Sequence, residues 1–423
     1  MVRPDHTDGD HMTFDSDSHP LPWHREWAGL LKNDPVAAGF IMLAFLMPFI
    51  GFVSSRAVSV LLPLFTILMA GAYLARTKDF AAFKSNAWFF IAVLLALVAI
   101  TGFWAFDPGM AAERFGKIFF FTSLGLILFQ LAGMSGNNDA LARKVLIAGT
   151  IIAIALYTWA VVTEGGLYTL LSPESEWAAQ FNAANKPANA LVLLTGAIFI
   201  AAAAQGKTLG AWMLIAALFI VMFFSPSQSS LAGMAVWIAA YGIARGAPGF
   251  ARQLTSLGGA ALILAMPFLF AGLFALNPDR SLDWQAASLG ARLDVYYAVG
   301  LQILQAPFLG HGIEAARFIS DWPIEIIHMR EGTFHHTHNG FLQLWLEFGV
   351  LGGALGAAGW FFFTRHVAHW SAALQPALIA SLAAFFFVFS VTYGAWQSWW
   401  LSGIAVAAAL TRFVAHGAER DMA

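Results

Sequence analysis

Apolar residues run along this chain in long, nearly unbroken blocks divided by short polar joints. Twelve blocks stand at about 36–53, 57–75, 87–106, 115–134, 145–163, 188–204, 209–225, 231–246, 256–276, 340–363, 372–391 and 396–414. They run to roughly 17–22 residues, the length at which a helix crosses a hydrocarbon core ~30 Å thick. The pattern predicts an all-α polytopic integral membrane protein with about twelve transmembrane helices: nine over 36–276 and three over 340–414. The segment Ser225-Pro226-Ser227-Gln228-Ser229-Ser230 interrupts what would otherwise read as one long apolar run. Residues 1–35 are polar, rich in Asp and His, and read as a flexible tail; residues 415–423 form a short second tail. A secretory signal would place a basic patch directly before a shorter apolar core, so the block from Val36 is expected to stay as a membrane helix.

Most joints are short, but residues 277–339 separate the ninth and tenth blocks. Segments of that length inside a compact protein usually carry function. Within this one, Ser288 to Gln305 has helical periodicity, with Leu289, Leu293, Tyr296, Tyr297, Val299, Gly300 and Ile303 on an apolar side. Pro307 and the Gly310-His311-Gly312 turn end it. No repeat of 20 to 50 residues and no inverted half-to-half symmetry is visible.

Composition narrows the class. Of 423 residues 59% are hydrophobic and only 11% charged, where an ordinary soluble domain carries roughly 25% charged residues. The 39 Phe and 16 Trp suit lipid-facing and interfacial positions. A formal charge of −2 gives no reason to expect a nucleic-acid partner, and the absence of cysteine removes disulfides, thiolate catalysis and zinc–thiolate or iron–sulfur sites. With twelve spans and an inner N-terminus, 14 Lys and Arg fall on the inner side and 8 on the outer, four of those eight in the long loop. The positive-inside bias then puts both termini in the cytoplasm and the loop outside.

Five of the twelve histidines, His311, His328, His335, His336 and His338, fall in that loop, the last three just before the tenth block. An imidazole there is suited to act as a base toward a substrate at the membrane surface. A wet loop that simply contains histidine is the competing reading. No Cys and no His-Glu-x-x-His spacing accompanies the cluster, so no metal is expected. Arg114, Lys117, Lys186, Arg280 and Arg292 lie at or near the outer ends of spans. Singly they read as side chains snorkelling to lipid phosphates; together they are expected to form a pocket for a diphosphate, because guanidinium groups match phosphate oxygens. Arg292 is the leading candidate, one turn before Tyr296 on the loop helix. Asp15-Ser16-Asp17 has the D-x-D spacing of metal-dependent sugar transferases but lies in the acidic tail, with Asp5, His6, Asp8, Asp10 and His11, and reads as solvated.

The run His338-Asn339-Gly340-Phe341-Leu342-Gln343-Leu344-Trp345-Leu346-Glu347-Phe348-Gly349-Val350-Leu351-Gly352 resembles the His-(Asn/Ser)-x-x-Leu-x4-Glu-x-Gly-x-x-Gly signature of the O-antigen ligase and polymerase superfamily. Arg292 followed by Pro307, Gly310 and Gly312 is similar to the family's Arg…Pro-x-x-Gly-x-Gly loop pattern. Phe181-Asn182 through Asn185-Lys186-Pro187-Ala188-Asn189, and Trp104 with Asp107-Pro108, resemble two shorter family segments. The resemblance covers most of the chain. It implies transfer of a glycan from undecaprenyl diphosphate to an acceptor sugar in the periplasm, inverting, without metal or cofactor, in the bacterial inner membrane. His338 would be the base and Arg292 the diphosphate ligand, assisted by Lys186 and the Arg114/Lys117 pair. Many members carry a Ser-Arg pair at the outer end of the seventh span; this chain has Gln228 after Ser227. Lys186 or Arg280 would have to supply the missing charge. Glu347, nine residues after His338, lies ~13.5 Å deeper on a continuous helix, which favours a structural role, and Asn339 or Asp294 is the expected orienting partner of His338. The ligase reading, with lipid A–core as acceptor, leads. A polymerase using a second lipid-linked glycan is the alternative, and a twelve-helix transporter or flippase comes third. A protein-glycosylating relative is less favoured because those chains usually carry an extra C-terminal domain.

Overall fold

In the computed structural model the described residues are 22–134, 139–171, 181–280, 287–327 and 334–422. The acidic tail with its D-x-D segment, and His328 and Arg330, lie outside them. Described residues form helices and connecting turns: α1 (Pro22–Asn33), α2 (Pro35–Val53), α3 (Ser55–Thr77), α4 (Ala87–Thr101), α5 (Pro108–Leu131), α6 (Asp139–Val162), α7 (Gly166–Leu171), α8 (Asn185–Ala203), α9 (Thr208–Phe223), α10 (Gln228–Gly246), α11 (Pro248–Gln253), α12 (Gly259–Leu276), α13 (Ala287–Gln305), α14 (Gly340–Arg365), α15 (Gln375–Val391) and α16 (Ser398–Met422). A helix stands at each of the twelve apolar blocks. Eight are long and apolar enough to cross a membrane: α2, α3, α5, α6, α8, α11 joined to α12, α14 and α16. α4, α9 and α15 are apolar but shorter, and α10 opens on the polar Gln228-Ser229-Ser230. The protein is an all-helical, membrane-embedded polytopic chain.

Local chemistry sets several boundaries. Asp34 and Asp107 each precede a proline and accept a backbone N–H three residues on, at 2.9 Å, opening α2 and α5. α8 is the central helix: its apolar positions from Pro187 to Ala202 are buried, and it packs on α2, α6, α9, α10, α15 and α16. Between α11 and α12 the chain makes a π turn at Leu254–Gly258, and the indole of Trp360 donates to the Thr255 carbonyl there at 2.7 Å.

α14 is broken. Gly349 has φ 60° and ψ −147°, outside the helical region. The break frees the Leu346 and Glu347 carbonyls, which accept from the N–H groups of His311 at 2.8 Å and Gly312 at 3.1 Å, while Val350 N–H donates to the Pro307 carbonyl at 2.7 Å. Backbone thus lies on backbone. A Cβ at Gly310 would stand 2.6 Å from the Glu347 carbonyl, and one at Gly349 2.5 Å from that of Phe308. One glycine of each sequence motif, Gly310 and Gly349, makes this docking possible.

Candidate functional site

The joints at one end of the bundle converge: the α2–α3 corner, the turn after α4, the start of α8, α13 with its following loop, the start of α14 and the α15–α16 connection. His338 sits among them just before α14, with φ 53°, a left-handed conformation that costs about 1–3 kcal/mol for a non-glycine residue. Three contacts hold it there. Its N–H donates to His336 Nδ1 at 3.3 Å, its carbonyl accepts from the Tyr296 hydroxyl at 3.2 Å, and its Nδ1 lies 3.0 Å from the Thr392 carbonyl. A carbonyl only accepts, so Nδ1 carries the proton and Nε2 keeps its lone pair. Burial holds the His338 pKa below the usual histidine value; the Thr392 bond opposes that shift and the Arg292 charge adds to it. The His336 ring stands 4.1 Å from that of His338. Burial, with the neighbouring imidazole, pushes its pKa to about 3, so it is neutral in ordinary buffers.

Arg292 is one turn before Tyr296 on α13, and its charge acts on His338, Tyr296 and Tyr393. Among the described residues no carboxylate pairs with it. Tyr393, in the α15–α16 connection, accepts from Asn189 Nδ2 at 3.3 Å and packs 4.7 Å from the Trp399 ring, over which Lys186 lies at 5.5 Å. Arg56 at the start of α3 acts electrostatically on Lys186. The His338 end of the bundle therefore brings Arg292 and Lys186 toward Tyr393 from different helices.

Other expected ligands of a diphosphate have different partners. Arg114 Nε is 2.5 Å from Glu314, which also holds Arg317 at 2.5 Å. Lys117 pairs with Glu113, one turn earlier on α5. Arg280 is bound to buried Asp294 at 3.0 Å and to the Glu325 carbonyl. Gln228 is exposed at the first turn of α10. Tyr296 is buried, its hydroxyl spanning the His338 and Ser390 carbonyls. Asn339 does not orient His338: its Oδ1 caps α14, accepting from Phe341 and Leu342 N–H at 3.0 Å each. Asp294 does not either, being engaged by Arg280; the partner is the Thr392 carbonyl.

Glu347 is fully buried and accepts from three segments: Glu314 N–H at 3.0 Å, Gln343 Nε2 at 2.8 Å and Trp396 Nε1 at 2.6 Å. Gln343 in turn accepts from Ala395 N–H at 2.8 Å. Glu347 thus ties the broken helix to the loop and to the connection that supplies Thr392. Glu314, Thr392, Tyr393 and Trp396 were not singled out by sequence reasoning; the aromatic, polar joint Thr392-Tyr393-Gly394-Ala395-Trp396 between two apolar blocks was the available signal.

Directly beneath, a cavity of about 490 Å3 lies between α10, α12 and α15. Its walls are apolar, among them Val236, Leu262, Met266 and Phe386, and Tyr296, Asn339 and Ser390 line it as well.

Residues 190–357 match the O-antigen ligase family model. Among curated relatives, a provisionally named polysaccharide ligase of Rickettsia typhi is 23% identical over 334 residues, 75% of this chain and 76% of that one. A counterpart in Rickettsia prowazekii is 23% identical with the same coverage, and one in Rickettsia felis is 21% identical over 85% of this chain and 93% of its own.

Proposed function

We propose that the chain, whose residues 190–357 match the O-antigen ligase family model, works as a member of that superfamily and transfers a glycan from undecaprenyl diphosphate to a sugar of lipid A–core at the periplasmic leaflet of the bacterial inner membrane. The observation that carries the reading is the arrangement of His338. Its Nδ1 is committed to the Thr392 carbonyl, Nε2 is left as a base, the charge of Arg292 acts on the ring, and the neighbouring Tyr296 and Asn339 line an apolar cavity.

In this mechanism the isoprenoid tail of the donor occupies the cavity and the diphosphate reaches the polar end. His338 Nε2 takes the proton of an acceptor hydroxyl as its oxygen bonds to the anomeric carbon. The bond from that carbon to the diphosphate oxygen breaks, and the diphosphate leaves with the electron pair. Attack opposite the leaving group inverts the anomeric centre. Arg292 and Lys186 meet the charge that accumulates, the work of fixed cations aimed where charge develops. Arg114 and Arg280 act instead through Glu314 and Asp294, holding α5 and α13 against the loop, while Lys117 pairs with Glu113 within α5. The site faces the periplasm in the orientation set by the basic residues.

Glycolipids extracted from a deletion strain test the reading. Loss of all long-chain glycan from lipopolysaccharide, with free lipid-linked polymer accumulating and the wild-type gene but not His338→Ala restoring it, is the expected result. Core carrying a single repeat would assign a polymerase, and unchanged lipopolysaccharide would overturn transfer altogether.

A further inference from the structure

Beyond the base and the cations, the loop carries a second surface. Phe106, in the turn between α4 and α5, stacks nearly parallel on Phe318, with ring centroids 6.0 Å apart and planes 13° apart. Both rings remain well exposed, Phe106 at 54% and Phe318 at 37%. They come from segments 212 residues apart in sequence, and their meeting is built. Gly312 has φ 89° and its absent Cβ would stand 3.0 Å from Ala105 Cα, so the loop lies directly on the turn that carries Phe106. Glu314 then holds Arg114 of α5 and Arg317 of the loop together.

This surface adjoins the base. Ala105 and Ile313 pack in one cluster with Ala395 and Trp396, Gly394 lies against His336, and the charge of Arg317 acts on His336. From the ring pair, the order is therefore Arg317, His336, His338.

We infer that the Phe106–Phe318 pair and Arg317 form the docking platform for the saccharide of the acceptor, which enters from the loop side while the lipid donor enters from the cavity. The proposal rests on the transfer reading above. Pyranose rings present an apolar face of C–H groups that lies flat on an aromatic ring, with hydroxyls at the rim that need planar donors and acceptors. Two near-parallel exposed rings flanked by a guanidinium and its carboxylate offer that combination. A ring pair that only anchored the chain at the lipid interface would not require continuity with the histidines.

The test uses the full chain in nanodiscs, with undecaprenyl-diphosphate-linked glycan as donor and lipid A–core as acceptor. In Phe106→Ala/Phe318→Ala the acceptor KM is expected to rise about tenfold, with donor KM and kcat within about twofold of wild type. Phe106→Trp should keep the wild-type acceptor KM, and Phe103→Ala, removing a ring that is 91% exposed but outside the stack, should change nothing. An unchanged acceptor KM in the double variant overturns the platform. So does an equal rise in donor KM in the double variant and in Phe103→Ala, which marks the rings as a bilayer anchor. Saturation-transfer NMR with soluble core oligosaccharide gives a readout without turnover. Signals present with wild type and lost with the double variant support the platform even if transfer itself fails; absence of signals with wild type rejects it.

Discussion

Glu347 gathers donors from three stretches of chain into one buried carboxylate, and the two side-chain donors, Gln343 and Trp396, can be removed singly. In Glu347→Gln the Oε1 position keeps its acceptor for Glu314 N–H and Gln343 Nε2. The new amide NH2 replaces Oε2, which accepts from Trp396 Nε1 at 2.6 Å. One buried bond is lost and two donors oppose each other, a destabilisation of about 1–3 kcal/mol. Glu347→Ala strands all three donors and should cost about 3–6 kcal/mol. Trp396→Phe alone leaves Oε2 without its donor, but in the Gln background it removes the opposed N–H, so the double variant should be more stable than the sum of its parts by about 0.5–3 kcal/mol. Equilibrium unfolding of the purified chain in detergent supplies all four corners of the cycle. The order wild type, Gln, Ala, together with a non-additive cycle, is the expected result. Additivity, or melting of Glu347→Ala with wild type, would refute the view that this carboxylate joins loop, broken helix and connection.

Other consequences follow from the same geometry. Gly349→Ala places a Cβ 2.5 Å from the Phe308 carbonyl at a φ of 60°; it should lose transfer activity and expose the 307–312 loop to limited proteolysis, whereas Gly242→Ala, with open space around it, should do neither. Asn339→Ala removes the cap of α14 and should cost about 0.5–2 kcal/mol in unfolding measurements, while Asn339→Asp retains an acceptor and most of the stability. The His338 pKa lies below the ordinary value of about 6.5, so the neutral, proton-accepting form persists into mild acid and transfer falls only as pH drops through the lowered value. Arg292→Gln removes a charge that disfavours the imidazolium and should move that acid limb upward; an unmoved limb in the pH–rate profile would contradict the proximity.

Much of the architecture was legible because it rests on local pattern. The apolar blocks follow from the length a bilayer demands, and the loop helix, expected over 288–305, stands at Ala287–Gln305 because its apolar side has α12 to pack on. The site was only partly legible. His338 announces itself by its motif, but its orienting partner is the Thr392 carbonyl, and a backbone acceptor 54 residues away leaves no mark in residue type. Arg114 reads as a free cation until Glu314, 200 residues on, is brought beside it. Two signals were available and went unused. Glu113 precedes Lys117 by the four residues that favour an ion pair on a helix, and Asn339 directly before an apolar run has the pattern of an N-cap. The Gly349 break escaped a reading that assumed a continuous helix through Glu347, since a single glycine among apolar residues does not declare its φ.

The central claim concerns one nitrogen, the unprotonated Nε2 of His338, as the acceptor of the sugar proton. Single-turnover transfer at saturating lipid-linked donor, comparing wild type with His338→Ala in nanodiscs, tests it most directly. The expected outcome is a fall of at least about 100-fold in the transfer rate with donor binding retained, because Arg292, Lys186 and the apolar cavity are untouched. A variant that transfers at the wild-type rate while folded and donor-bound would show that the proton leaves by another route.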